Sequence, residues 1–329
     1  MTKLLKESQH REAAQIIRDG GLVAFRTETV YGLGADATND EAVKKIFTAK
    51  GRPSSNPLIV HFHSIKHLKQ YFDLNPEIER ILRLITEALT VTLPASDMIA
   101  KSVLAGHATA AVRIPSCKFA RKFIRACGVP IAAPSANTST RPSPTDWRAV
   151  QDDLEGKINA IMMGRRTRIG IESTVIEMQD KGLGINILRQ GGVSMKKLRE
   201  QTGLDVKLAT SPEELQKSPG TRFKHYSPSY PIHILTDFFD IMGLTYQKEY
   251  VVIGYSNHFN YTDKNILYIG KNARQANANL FYLLREAERI LNKSKSKKDK
   301  IIVIEDLPNT DEYASVRERV QKASIGGDK

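Results

Sequence analysis

"FTAKGRPSSNPLIVHFHS", residues 47–64, sets the end of a helix against the start of a strand. The preceding "GLGADATNDEAVKKIFTAKG" passes from a Gly-rich turn into a segment with apolar residues at helical spacing, and Asn39 or Asp40 is placed to cap it. Gly51 falls where a helix C-terminus favours glycine, with Pro53 just beyond. "PLIVHFHS" then reads as a strand along which His61 and His63 alternate and share a face. Lys50 and Arg52 are left with two readings. Cations suit the negative end of a helix dipole, and arginine also suits a bidentate grip on phosphate or carboxylate. Two histidines with no neighbouring Asp, Glu or Cys make a poor metal site.

The same alternation continues on both sides. Helical spacing in "ESQHREAAQIIRDGG" precedes a β-rich "LVAFRT". "IKHLKQYF", "PEIERILRLITEAL" and "FARKFIRACG" read as helices. "LTVTLP", "TAAVRIPS", "INAIMMG", "STVIEMQ" and "INILRQGG" read as strands, and "VPIAAPSAN" as a buried strand running into a polar turn. Mixed helices and strands over this length predict an α/β domain, placed at residues 1–208. Residues 209–231, rich in Pro and Ser and without a sustained period, read as a linker, yet one carrying Arg222, Lys224, His225 and Tyr226 together. Three strands, a helix and a further strand follow in "IHIL", "EYVVIGYS", "NILYIG", "ARQANANLFYLLREAERILNK" and "KIIVIEDL". They predict a second, small α/β domain over 232–329 with a partly parallel sheet.

Composition bounds the function classes. The 329 residues are 41% apolar and 26% charged, without a low-complexity tract, as in ordinary globular proteins. The N-terminal "MTKLLKESQHREAAQIIRDGG" is too polar for a signal peptide, and no apolar run reaches spanning length, so a cytoplasmic protein with no membrane partner is expected. Cys117 and Cys127 form neither a metal signature nor a disulfide framework and are expected as reduced thiols. A formal charge of +13 is compatible with polyanionic partners, RNA included. Part of it is local, because "NKSKSKKDK" at 292–300 holds five lysines in what reads as a solvated loop.

Four segments place polar side chains where an apolar strand ends, the usual location of ligands in open α/β sheets. "RTETVYGLG" brings Thr27, Glu28, Thr29 and Tyr31 before two glycines. Lys50 and Arg52 flank Gly51. Arg113 lies in the otherwise apolar "TAAVRIPS" with Thr109, and needs either an ion-pair partner or an anionic ligand. "APSANTSTRPSPTDW" crowds Ser135, Asn137, Thr138, Ser139, Arg141, Ser143 and Thr145 into one loop suited to phosphate or sugar. "IGIESTVIE" and "ILRQGG" add Ser173, Thr174 and Arg189. The chain has no G-x-x-x-x-G-K-[ST] phosphate loop, no Ser-His-Asp order and no metal-ligand cluster. Many cations and hydroxyls without a nucleophile describe a cavity that acts mainly by holding a polyanion.

In this order "TETVYGLGADATN", "KGRPSSNPLIVH", "AVRIPS", "APSANTSTRPSPT", "GIESTV" and "ILRQGG" resemble the YrdC-like domain of threonylcarbamoyl-AMP synthases. "SPGTRFKHYSP" and the α/β unit after it resemble the long, two-domain form of that family. The resemblance implies a YrdC-like open twisted mixed sheet, a linker and a small Rossmann-like domain. It implies an L-threonylcarbamoyladenylate synthase, a nucleotidyltransferase joining L-threonine, bicarbonate or carbon dioxide and ATP, with Mg2+ accompanying the ATP and pyrophosphate released. Downstream transferase machinery would pass the threonylcarbamoyl group to the adenosine beside the anticodon of tRNAs that read codons starting with A. On the family pattern Lys50 and Arg52 hold phosphates and carbamate as the catalytic pair. Thr29, His61, Arg113, Ala133 and Ser173 bind threonine, with Arg113 on its carboxylate. Arg52, Asn56, Thr109, Ser135, Asn137, Ser143, Arg189 and Tyr226 bind ATP, with Tyr226 brought by a linker that acts as a lid. No protein metal site is implied.

The chain departs from the family pattern in three places. Glu87 and Ala88 stand where Gly and Pro are expected, "GRRTRIGIEST" brings Arg165, Arg166 and Arg168, and Gln190 replaces a proline after Arg189. An alternative reading is a catalytically impaired YrdC-like protein that binds RNA directly, with salt-sensitive affinity.

Overall fold

The structure, a computed structural model, describes residues 1–179, 184–218, 226–236 and 248–324. The described residues divide into two compact units, Met1–Ser139 with Pro144–Arg222, and Thr140–Ser143 with Phe223–Lys329.

In the first unit the strands are β1 (Lys3–Lys6), β2 (Val23–Arg26), β3 (Tyr31–Asp36), β4 (Ile59–His61), β5 (Leu89–Pro94), β6 (Thr109–Arg113), β7 (Ile131–Ala132), β8 (Ala160–Met163), β9 (Thr174–Met178), β10 (Gly184–Arg189) and β11 (Asp205–Leu208). Among the described residues they form one mixed sheet in the order β1-β8-β2-β3-β7-β4-β6-β5-β9-β10-β11. Its helices are α1 (His10–Arg18), α2 (Asp40–Lys50), α3 (Ile65–Leu68), α4 (Pro76–Leu84), α5 (Lys101–Leu104), α6 (Lys118–Cys127), α7 (Trp147–Leu154), α8 (Met195–Thr202) and α9 (Pro212–Gln216). The first unit is thus the mixed α/β sheet domain that the sequence predicts.

Local chemistry sets the ends of α2. The Asn39 side chain accepts from Ala42 N–H at the start. At the end Gly51 adopts φ 60°, Arg52 N–H donates to Phe47 O and Gly51 N–H to Thr48 O. This paired closure satisfies the last carbonyls and needs a residue tolerant of left-handed backbone.

The strand register sorts side chains between two faces. Ala24, Leu33, Ala35, Ala132, Val60, Ala110, Val112, Val91, Leu93 and Ile176 point to one face and join the main aliphatic core. The opposite face is covered in part by α1 and α6, whose Ala13, Ala14, Ile17, Ala120, Phe123 and Ile124 pack on Val23, Phe25, Ile131 and Ala133. Each fully buried Val, Ile or Phe among them contributes about 1.5–3 kcal/mol. Toward β4, β6, β5, β9 and β10 that face becomes polar.

Two expectations are corrected here. The "GLG" of 32–34 is not a turn. Gly32 and Gly34 lie inside β3, and the turn is the preceding Thr27–Val30, closed by Thr27 Oγ1 donating to Val30 O at 2.7 Å. Both glycines answer a close approach instead. A Cβ on Gly34 would lie 2.8 Å from Ile131 Cγ2, and one on Gly32 would lie 3.3 Å from Ala133 Cβ. Nor is 209–231 without structure of its own, because Ser211 and Glu214 form a capping box that starts α9.

The second unit carries β12 (Ile232–Leu235), β13 (Glu249–Gly254), β14 (Ile266–Tyr268) and β15 (Lys300–Glu305) in the order β12-β15-β13-β14. Its described pairings are all parallel, which requires crossovers such as the helix Ala273–Lys293 between β14 and β15. Residues 292–300 are mainly exposed, as the lysine-rich sequence implies.

Candidate active site

The polar half of the site face is defined by register. His61 pairs with Arg113, Ala111 with Thr92, Thr109 with Pro94, Thr90 with Val175, and Val175 with Arg189. Paired residues in a ladder share a face, and residues two apart on one strand share it as well. Thr109, Arg113, His61, Ala133, Ser135, Ser173 and Arg189 therefore project from one side of the sheet. His61, Arg113, Ser173, Arg189, Thr90 and Thr92 are buried there although polar.

Lys50 is buried at the end of α2, and its Nζ donates to Ser135 O and Asn137 O, each at 2.5 Å. Lys50 O in turn accepts from Ser139 N–H at 2.8 Å. The lysine thus fixes the 135–139 loop as well as placing a positive charge beside it. Arg52 is half-buried and its Nη2 donates to Pro57 O at 3.1 Å, which holds it over the segment carrying the buried Asn56. The adjacent Asn137 donates from Nδ2 to Thr138 O at 2.8 Å.

His61 is held in its neutral form. Burial first, and then the Arg113 charge, push its pKa from 6.5 down to about 3. Its Nδ1 lies 3.1 Å from Ile59 O, so the neutral ring donates there. β4 ends at His61, and His63 stacks on His67 of α3 with ring centroids 4.3 Å apart.

Arg113 meets Glu28. Its Nη2 lies 2.5 Å from Glu28 Oε1, and both side chains are buried. The Glu28 carboxylate also accepts from Ala88 N–H at 3.3 Å and Cys117 N–H at 3.2 Å. Burial raises its pKa, but the Arg113 charge and these hydrogen bonds outweigh that and hold it below the usual carboxylate range. Thr29 follows, fully buried, with its Oγ1 2.8 Å from Thr27 Oγ1 and its carbonyl accepting from Gly170 N–H at 3.0 Å.

Ser173 Oγ lies 2.7 Å from Thr90 Oγ1. Arg189 donates from Nη2 to Ser173 O at 2.9 Å. Its orientation depends on an irregularity in β10. Ile185 and Ile187 face the aliphatic core, so unbroken alternation would send Arg189 there too. The register shifts between Ile187 and Arg189 and turns the guanidinium to the polar face.

Ser143 and Tyr226 belong to the second unit. There Tyr226 is buried, stacks on Phe281 with centroids 5.0 Å apart and takes φ 67°. Arg141, which the sequence offered for phosphate, is paired through Nη1 and Nη2 with the two Glu288 oxygens at 2.6 and 3.0 Å. Arg222, Lys224 and His225 lie outside the described residues.

Sequence reasoning passed over Glu28 as a site residue. The signal available was a buried arginine in an apolar strand, which demands a carboxylate from somewhere, but nothing local names which one. Two of the family departures also meet: Arg168 Nη2 lies 2.7 Å from Glu87 Oε2. Ala88 beside it takes φ 48°, a course closed to the proline expected there. Glu28, Glu87, Cys117, Arg166 and Arg168 border a cavity of about 480 Å³. A second cavity of about 880 Å³, bordered by Lys66, Lys69, Arg83 and Arg121, contains none of the expected site residues. Cys117 and Cys127 are unbridged thiols.

Buried cations and hydroxyls thus share one face of a mixed sheet in an α/β protein. Residues 15–191 match the Sua5/YciO/YrdC family model, described as "Telomere recombination", and residues 193–324 match "Threonylcarbamoyl-AMP synthase, C-terminal domain". The chain is 37% identical to a threonylcarbamoyl-AMP synthase of Pyrococcus abyssi over 87% of each chain. It is 44% identical to one of Bacillus subtilis over 69% of this chain and 67% of the relative. The chain belongs to the threonylcarbamoyl-AMP synthase family. The crystal structure of Pyrococcus abyssi Sua5 complexed with L-threonine superposes with a TM-score of 0.86 at 34% identity, covering 99% of this chain and 98% of that one.

Proposed function

We propose that this chain is an L-threonylcarbamoyladenylate synthase: a nucleotidyltransferase that joins L-threonine, bicarbonate or carbon dioxide and ATP, and releases pyrophosphate. The observation that carries the reading is the shared face of His61, Arg113, Ser173 and Arg189, buried and polar in a family whose members bear that name. The amine of threonine becomes a carbamate, whose oxygen attacks the α-phosphate. Both reactants are anionic, so fixed cations and oriented donors supply what the step needs, without a side-chain nucleophile.

In this reading Lys50 and Arg52 balance the phosphate and carbamate charges. Thr29, neutral His61, Arg113, Ala133 and Ser173 hold threonine. Asn56, Thr109, Ser135, Asn137, Ser143, Arg189 and Tyr226 hold ATP, in a chain organised as a catalytic domain at 1–208, a linker and active-site lid at 209–231 and a small domain at 232–329. Mg2+ would enter with the triphosphate of ATP, as the family resemblance implies. The product would pass to the tRNA threonylcarbamoyl transferase machinery in the cytoplasm. Among the described residues no helix is long and apolar enough to cross a membrane.

The test is incubation of the purified protein with ATP, threonine and bicarbonate, following pyrophosphate and the adenylate. Threonine-dependent pyrophosphate is expected, and its absence from folded protein overturns the reading.

A further inference from the structure

We infer that Glu28 is the positioning residue for Arg113: it fixes the guanidinium to which the proposed function assigns the carboxylate of the amino-acid substrate. The inference rests on the proposed function and deepens it.

Arg113 ends β6 on the site face, beside His61 in the register. A guanidinium this deeply buried must be paired to be tolerated. Its partner does not come from a neighbouring strand. In the sheet order β3, β7 and β4 stand between β2 and β6, which in a flat sheet would lie about 19 Å apart. Glu28, in the turn between β2 and β3, nonetheless reaches Arg113 at 2.5 Å, so the pair bridges strand ends that are not neighbours in the sheet.

Glu28 is itself held from several directions. Its oxygens take the N–H groups of Ala88, just before β5, and of Cys117, at the start of α6. Its carbonyl accepts from Ile169 N–H at 2.8 Å. Two segments remote in sequence therefore fix the carboxylate and a third holds its backbone, and that carboxylate fixes one Arg113 nitrogen. Arg113 Nε is buried with no hydrogen-bond partner among the described residues. A buried donor left open in a pair otherwise fixed by hydrogen bonds calls for an explanation. An acceptor on the ligand would provide one, and a carboxylate matches the geometry of a guanidinium. Glu28 keeps Arg113 from turning away, and its negative charge moderates the positive site so that a zwitterion is received in place of any small anion.

The experiment measures threonine and ATP binding separately by calorimetry on the full chain, with steady-state KM and kcat alongside. Glu28→Gln keeps the size and an acceptor but removes the charge. It is expected to weaken threonine binding by about tenfold and raise the threonine KM, while ATP affinity stays within about twofold. Glu28→Asp, which keeps the charge but is one methylene short of Arg113, is the second variant and is expected to lose threonine affinity likewise. Arg113→Lys should weaken threonine binding, and adding Glu28→Gln to it should change little more, because the two act as one unit. Unchanged threonine affinity in Glu28→Gln or Glu28→Asp, additive effects in the double variant, or equal losses for both substrates overturn the inference. A parent protein that binds no threonine overturns the functional reading itself.

Discussion

Arg189 stands opposite Val175, and it does so only because β10 slips in register after Ile187. The slip takes a side chain that alternation assigns to the aliphatic core and places its guanidinium on Ser173 O. Arg189→Met should retain the bulge and lose the donors. Ser173 O would then be buried with fewer partners, at a cost of about 1–3 kcal/mol. Urea unfolding should show that loss, and ATP titration should show weaker binding. Unchanged ATP affinity would remove Arg189 from the nucleotide side.

Lys50 and Arg52, two residues apart, should respond differently to removal. Lys50→Met deprives two loop carbonyls, Ser135 O and Asn137 O, of a charged donor at a buried site. A loss of about 1–3 kcal/mol in unfolding free energy is expected together with loss of activity. Arg52→Ala removes a half-buried side chain held by loop carbonyls. It should cost under about 1 kcal/mol and still abolish adenylate formation. Denaturation curves and pyrophosphate release, measured on both variants, separate a structural lysine from a catalytic arginine.

Acid should destabilise the first unit before the carboxylates titrate. His61 is neutral when folded, with its pKa lowered from 6.5 to about 3. Between those values the unfolded chain binds the proton and the folded one does not, so stability falls as pH drops below about 6.5. The His61 contribution reaches up to about 1.4 kcal/mol per pH unit. Glu28, whose pKa is lowered, adds a further loss as pH falls below the usual carboxylate range toward its folded value. His61→Asn should flatten the upper part of this profile in urea unfolding measured from pH 7 to 4. An identical slope in variant and parent would contradict a neutral buried His61.

Gly34→Ala tests the close approach of β3 to β7. The new methyl would meet Ile131 Cγ2 at 2.8 Å and Phe25 Cε1 at 3.0 Å. Overpacking of this kind costs about 1–3 kcal/mol, so the thermal midpoint should fall. A variant as stable as the parent would show that the strand has room to shift.

Much of the architecture was legible because it is written locally. Asn39 and Gly51 bracket α2 with side-chain and backbone chemistry confined to one turn at each end. "TAAVR" and "LTVTLP" are strands by composition, and they are strands in the fold. The glycines at 32 and 34 were misread as a turn, since glycine serves both turning and close packing and only the neighbour Ile131 distinguishes them. The strand read through His63 stops at His61, because alternation has no mark for where a strand ends.

By itself the sequence determined which polar side chains stand at strand ends, that Lys50 and Arg52 close a helix, and that Arg113 needs a counter-charge or a ligand. Only the tertiary structure decided that the counter-charge is Glu28, carried by the turn between β2 and β3, which are not neighbours of β6 in the sheet. It also decided the face of Arg189. The physical reason is the same in both cases. A period of two assigns a face only while the register is unbroken, and a contact between strand ends depends on a strand order that no local spacing records.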